Sequence, residues 1–211
     1  MEAVLEVYAA GAAGEQEVIC LDESAKELQD HARPPIAGAP PLEDPEYRRN
    51  GQATLFLAYA PFAGWRSVAV TATRTSRDFA AFLRDLVDQS PRDRPLTIVL
   101  DNLNTHTLAS RSQAFSPSEA TRIRQRVTFV KTPVHGSWLN MAELEFSVLK
   151  RQCLNRRIPD RETLAQEVDA WVTARNAVAA PAHWTFTTTE ARTTLAHLYP
   201  VPEPSPDGMP S

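Results

Sequence analysis

Apolar residues along this chain alternate between short continuous runs and stripes of helical spacing. Glu17-Val-Ile-Cys-Leu21, Leu96-Thr-Ile-Val-Leu100 and Val127-Thr-Phe-Val130 are runs of the buried-strand kind, each bounded by polar residues. Residues 53–60 and 65–73 are two further strands, and Pro61-Phe-Ala-Gly64 between them predicts an antiparallel hairpin. Thr75 to Asp78 caps a helix with Phe79, Phe82, Leu83, Leu86 and Val87 on its buried face. Ser116-Pro-Ser-Glu119 starts another helix, with cap, first-turn proline and box glutamate all in place. From about Leu139 the stripe Leu139, Ala142, Phe146, Leu149 and Cys153 predicts a helix after a loop that runs to Gly136. Asp160 opens a long helix faced by Leu164, Val168, Trp171 and Val172, and the capping box Thr187–Glu190 introduces a last short one ending near Leu198.

The order strand, hairpin, helix, strand, helix, strand, helix, helix predicts an α/β fold. Its sheet is mixed, an antiparallel hairpin plus parallel strands, with helices on its faces. Residues 30–50 hold Pro34, Pro35, Pro40, Pro41 and Pro45 and read as a long surface loop. Residues 1–16 read as the end of a helix followed by a linker. The segment 201–211 is too proline-rich and polar to pack, a disordered tail. One domain, 17–200, remains.

Composition narrows this little. The 211 residues are 43% hydrophobic and 23% charged, ordinary values for a soluble domain with a proper core. The net charge of −4 excludes a whole-molecule electrostatic grip on nucleic acid, so any such contact must come from a local patch. Cys20 and Cys153 sit in apolar patterns without a CxxC partner and read as buried free thiols of a reducing cytoplasm. No apolar run reaches membrane-spanning length, and the N-terminus lacks a signal-peptide pattern, so no membrane is expected as a partner.

Candidate chemistry lies where two strand runs end. Leu21 is followed by Asp22 and Leu100 by Asp101, and a carboxylate at a strand's C-terminal end is a usual place for chemistry in an open sheet. An aspartate there is also a common turn starter. If the two strands are parallel neighbours, both carboxylates emerge on one sheet edge. In the helix that begins near Leu139, Glu143 and Glu145 fall on opposite flanks of the apolar stripe and cannot serve one site. Glu143 shares its flank with Ser147 and Lys150. Asn140 and Glu143 also fit a capping-box variant, which needs no chemistry. Two carboxylates about 4 Å apart repel by roughly 4 kcal/mol at an effective dielectric of 20, so a cluster of three requires cations or protons. Mg²⁺ or Mn²⁺ suits such oxygen donors, and two ions would serve phosphodiester chemistry.

Leu21-Asp-Glu-Ser24, Arg49-Asn-Gly51, Leu100-Asp-Asn-Leu-Asn-Thr-His106 and His135-Gly-Ser-Trp-Leu-Asn-Met-Ala-Glu143 with Ser147-Val-Leu-Lys150 stand in order along the chain. Together with Arg156-Arg-Ile-Pro-Asp160 and the stretch from Trp184 to Pro200, this set resembles the catalytic domain of bacterial insertion-sequence transposases. The branch is the mariner superfamily, insertion-sequence family 630. The resemblance implies a ribonuclease-H-like DDE fold with helices on both faces. It implies Asp22, Asp101 and Glu143 as the catalytic and metal-binding triad, with Asp22 bridging two Mg²⁺ or Mn²⁺ ions. It also implies DNA, both element ends and target, as partner, a homodimer in the DNA complex, and a cytoplasmic, nucleoid-associated location in bacteria.

Around the triad, Arg49, His106, His135, Lys150, Arg151, Arg156 and Arg157 are the candidate DNA contacts, with solvated surface charge as the alternative. Asn102 and Asn104 either position ligands or satisfy their own loop. Trp138 reads first as a core anchor and second as a base-stacking platform. No recognition helix is legible, although members of that family carry helix-turn-helix modules upstream. Two other readings stay open: a stand-alone nuclease sharing the site, and a catalytically silent DNA- or protein-binding remnant.

Overall fold

Val18 and Cys20 pack into one hydrophobic cluster, while Ile19 and Leu21 pack into another. A strand covered on both faces belongs at the centre of a sheet with helices on each side. This strand is the start of β1 (Glu17–His31) in a computed structural model that describes residues 1–32, 46–90, 95–101, 115–134 and 136–196. Asn102, Asn104, His106, His135 and the 201–211 tail lie outside the described residues.

Five strands form one sheet in the order β3-β2-β1-β4-β5, where β2 is Tyr47–Ala60, β3 Trp65–Thr71, β4 Leu96–Leu100 and β5 Val127–Lys131. β1 pairs antiparallel with β2, and β2 with β3, so the expected hairpin is present. β1 and β4 are parallel, as are β4 and β5. The helices divide between the faces. One face carries α1 (Glu2–Ala12), α4 (Met141–Leu149), α5 (Arg161–Val178) and α6 (Thr188–Thr194). The other carries α2 (Ser76–Gln89) and α3 (Pro117–Arg126), held by Phe79, Phe82, Leu83, Leu86, Val87 and Ile123. Caps form where the side chains allow: Thr75 with Asp78 and Thr187 with Glu190 make complete capping boxes, and Ser116 and Asp160 each accept a first-turn N–H. Among the described residues no helix is long and apolar enough to cross a membrane.

Four expectations need correction. Residues 1–16, read as the end of a helix and a linker, hold a helix that starts at Glu2, α1, whose Val4, Leu5 and Tyr8 are fully buried against the sheet. β1 does not end at Asp22 but continues to His31, paired there with β2 alone. Arg48 and Arg49 consequently sit in a strand and not in a surface loop. Finally, the last helix stops at Thr194. Where β1 outruns β4, residues 154–159 cover its free edge: Lys26 Nζ donates to the carbonyls of Leu154 and Arg156, and Gln29 N–H donates to Ile158 O. This blunts an edge that would otherwise recruit another strand.

Candidate active site

The parallel register of β1 and β4 decides where the two aspartates go. Leu21 stands opposite Leu100, the last residue of β4, so Asp22 and Asp101 are the next positions on the same edge. Both are half-buried. Asp22 Oδ1 accepts the Glu23 N–H at 2.8 Å. Burial first, and then the nearby charges of Asp101, Glu143 and Glu23, push the Asp22 carboxyl up to about 7 against that one stabilising hydrogen bond. The three expected carboxylates therefore share one electrostatic neighbourhood. Among the described residues, no three His, Cys, Asp or Glu side chains stand in a group that could hold a metal ion.

Glu143 enters this neighbourhood from the first turn of α4, half-buried. A short 3₁₀ turn, Ser137–Leu139, precedes the helix, so α4 begins at Met141 and not at Leu139. The capping box anticipated for Asn140 and Glu143 does not form, because the Asn140 N–H is already given to Ser137 O at 2.7 Å. Asn140 instead caps alone: its Oδ1 accepts from Ala142 N–H at 3.2 Å, while its Nδ2 donates to Leu21 O at 2.7 Å. That second bond ties the helix carrying Glu143 to the strand residue preceding Asp22. After Leu149 the helix widens into a π turn, Lys150–Leu154. Such turns recur at functional sites.

The expected DNA contacts fall into two groups. Lys150 and Arg151 line a cleft of about 430 Å³ with Ala25, Lys26, Leu154 and Asn155, a lining with three cations and no acid. Arg49 and Arg157 both lie over the Tyr47 ring, at 6.0 and 5.7 Å, on the part of the β1–β2 ribbon beyond the aspartates. Arg49 also pairs with Glu27 at 2.8 Å. Arg156 is engaged by Glu167 of α5, which makes it the least available of the set. Trp138, expected first as a core anchor, is 49% exposed in the 3₁₀ turn.

A family profile described as DDE superfamily endonuclease matches residues 17–165, most of the chain, with Asp22, Asp101 and Glu143 inside the match. This chain belongs to the DDE endonuclease superfamily. A comparison with curated proteins gives no match. Among solved structures, this DDE domain is similar to a chain of a pre-cleavage Mos1 transpososome (TM-score 0.54, 12% identity, 82% of this chain and 54% of that one). It is similar to Mos1 transposase in a paired-end complex with the left transposon end (0.54, 12%, 82% and 53%). It is also similar to a chain of a simian T-cell lymphotropic virus intasome in complex with PP2A regulatory subunit B56 gamma (0.50, 16%, 93% and 60%). The chain spans 53–60% of those solved chains. At these identities the likeness concerns the fold: a mixed five-stranded sheet with helices, of the ribonuclease-H-like kind.

Sequence reasoning missed what surrounds α4 in this DDE domain. On the flank away from Glu143, Glu145 is buried between two guanidinium groups. Arg66 Nε of β3 lies 3.0 Å from its Oε1, and Arg175 Nη2 of α5 lies 3.2 Å from the same oxygen. Asn176 completes the knot, its Oδ1 accepting from Arg66 N–H and Nη1 and its Nδ2 donating to Arg66 O. An arginine inside the strand run Trp65–Thr71 was the available signal, since a cation within a buried-strand pattern needs an acid. Lys26, four residues past Asp22, was passed over because the strand was taken to have ended.

Proposed function

We propose that this domain is a metal-dependent DNA-cleaving and strand-transferring enzyme of the insertion-sequence family 630 branch, with Asp22, Asp101 and Glu143 as its metal ligands. What supports the reading is the parallel register that puts Asp22 and Asp101 at the same sheet edge, together with the charges of Asp101 and Glu143 that raise the half-buried Asp22 carboxyl. The donor set fits hard divalent ions, because all three groups offer carboxylate oxygens and the ionised form of Asp22 lacks compensating positive charge. Bound there, two Mg²⁺ or Mn²⁺ ions would supply activation of the attacking oxygen and stabilisation of the leaving one.

The reaction class is phosphodiester exchange. A water oxygen bonds to phosphorus as the P–O3′ bond breaks, and the departing 3′ oxygen takes up a proton. In transfer, that 3′-hydroxyl attacks a phosphorus of target DNA and a target 3′ oxygen leaves. The chain's own part is placement. Asn140 holds the start of α4, the helix that carries Glu143, against the β1 residue before Asp22. Lys26, Lys150 and Arg151 present a cationic cleft to the sugar-phosphate backbone, and Arg49 and Arg157 offer a second contact farther along β1 and β2. DNA ends and target are the partners on this reading, with a homodimer in the complex and a cytoplasmic, nucleoid-associated location.

The test is cleavage of a short labelled duplex in Mn²⁺ by wild type, Glu143→Gln, Asp101→Asn and, as a control, Glu162→Gln at the exposed start of α5. Cutting by wild type and the control, with loss in the other two, supports the proposal. Joined products distinguish strand transfer from simple nuclease action. Absence of cutting in wild type, with no Mn²⁺-induced rise in melting temperature, would leave a silent remnant instead.

A further inference from the structure

The start of α4 is held from an unexpected quarter. Tyr8, in the middle of α1, is fully buried, and its ring packs edge-on against Trp184 at 5.0 Å and Phe62 at 6.3 Å between centroids. Its hydroxyl donates to Leu139 O at 2.6 Å and accepts the Met141 N–H at 3.4 Å. Those two groups flank Asn140, the cap of the helix that carries Glu143. The same oxygen lies 3.4 Å from Cys20 Sγ, two residues before Asp22 on β1. A phenol has one donor hydrogen and two acceptor lone pairs. All three are matched here: one to the carbonyl ending the 3₁₀ turn, one to the first helical N–H, one to the thiol.

The first-turn donors of α4 are thereby fully accounted for. Met141 N–H goes to Tyr8, Ala142 N–H to the Asn140 side chain, and Glu143 N–H to Asn140 O at 3.1 Å. Helix starts ordinarily leave such groups to water or a ligand. Here they are spent on fixing the turn, in a chain of contacts running from β1 through one hydroxyl to α4. Tyr8 and Leu139 are 131 residues apart in sequence, so the bond is a tertiary tether and not local turn chemistry.

We infer that Tyr8 is a positioning residue: its hydroxyl sets the spacing between Asp22 and Glu143. The inference rests on the proposed metal site, since spacing matters there in a way that mere stability does not. Mg²⁺ demands near-ideal octahedral geometry and tolerates a displaced ligand poorly. A misplacement of about 1 Å can cost about 100-fold in rate.

The experiment compares wild type, Tyr8→Phe, Phe62→Leu, Glu143→Gln and the double variant Tyr8→Phe/Glu143→Gln. Each is measured for duplex cleavage in Mg²⁺ and Mn²⁺, for Mn²⁺ affinity by titration, and for melting temperature. Tyr8→Phe keeps the ring and removes only the hydroxyl. It is expected to lower kcat about tenfold or more in Mg²⁺ with KM for DNA unchanged, and less in Mn²⁺. Mn²⁺ affinity should weaken several-fold, and no further loss should appear on the Glu143→Gln background. Phe62→Leu disturbs the same aromatic cluster and should lower the melting temperature while leaving the rate of the folded protein unchanged. Tyr8→Phe cutting at the wild-type rate and binding Mn²⁺ with wild-type affinity would overturn the inference while the metal-site reading stands. Equal rate losses in Tyr8→Phe and Phe62→Leu would also overturn it, by reducing the tether to general stability. A wild type that neither cuts DNA nor binds Mn²⁺ would remove the metal site and this role of Tyr8 with it.

Discussion

Glu143 and Glu145 stand two residues apart on α4 and meet opposite fates. Glu145 is turned into the core between Arg66 and Arg175, with 4% of its side chain exposed. Glu143, rotated to the other flank, faces two more acids and shares in raising the Asp22 carboxyl. One glutamate has its charge answered by the protein. The other adds its charge to the field that raises Asp22. On the proposed reading, identical side chains on one helix divide structural from chemical duty, and helical phase makes the division.

The strongest way to break this contrast is on the chemical side. Glu143→Gln is expected to lower DNA cleavage by about 1,000-fold, roughly 4 kcal/mol of barrier, with little change in melting temperature. Equal cleavage by wild type and this variant in a titration of Mn²⁺ would end the distinction. On the structural side, Glu145→Gln leaves the buried Arg66 and the partly exposed Arg175 without their carboxylate and is expected to cost about 3–5 kcal/mol in denaturant unfolding. The sharper version replaces the whole knot, Arg66→Met with Glu145→Leu and Arg175→Met. Apolar substitution of a complete buried ion cluster is commonly neutral or stabilising by about 1–4 kcal/mol. Asn176 keeps its bonds to the Arg66 backbone in that variant, and cleavage per folded molecule should persist.

Phase and strand order were legible because both are carried by spacing. Leu139, Ala142, Phe146, Leu149 and Cys153 are all buried, as their 3.6-residue recurrence requires, and that stripe placed the two glutamates on opposite flanks. The runs ending at Leu21 and Leu100 are parallel neighbours, in register to the last residue. The rest of β1 was not legible, because past Asp22 it has a strand partner on one side only and carries Glu23, Lys26 and Glu27 in place of an apolar run. Arg66 was hidden by the habit of assigning arginine to surfaces. The Tyr8 contact was beyond reach for another reason: it joins segments far apart in sequence, and no periodicity announces such a bond.

Smaller effects sharpen the same comparison. In the metal-free protein the folded-state carboxyl of Asp22 lies near 7, above the unfolded value of about 3.9. The sign follows: stability is fully present below pH ~4 and is lost as pH rises through ~7. Asp22→Asn should flatten that slope in thermal melts, and Mn²⁺ should oppose it in wild type, while Glu145 variants should leave it in place. Smallest of all, Asn140→Ala removes one cap, expected at about 1 kcal/mol. Because it also frees Leu21 O, its effect on cleavage should exceed its effect on melting.

The overhang of β1 beyond β4 has a consequence in length. From Asp22 to His31 the strand advances nine steps beside β2, about 30 Å at ~3.3 Å per residue, with its outer edge sealed by residues 154–159. One turn of duplex DNA is about 34–36 Å. The ribbon is therefore a ruler of nearly one helical repeat, with the carboxylates near its zero mark and the arginines around Tyr47 near its far end.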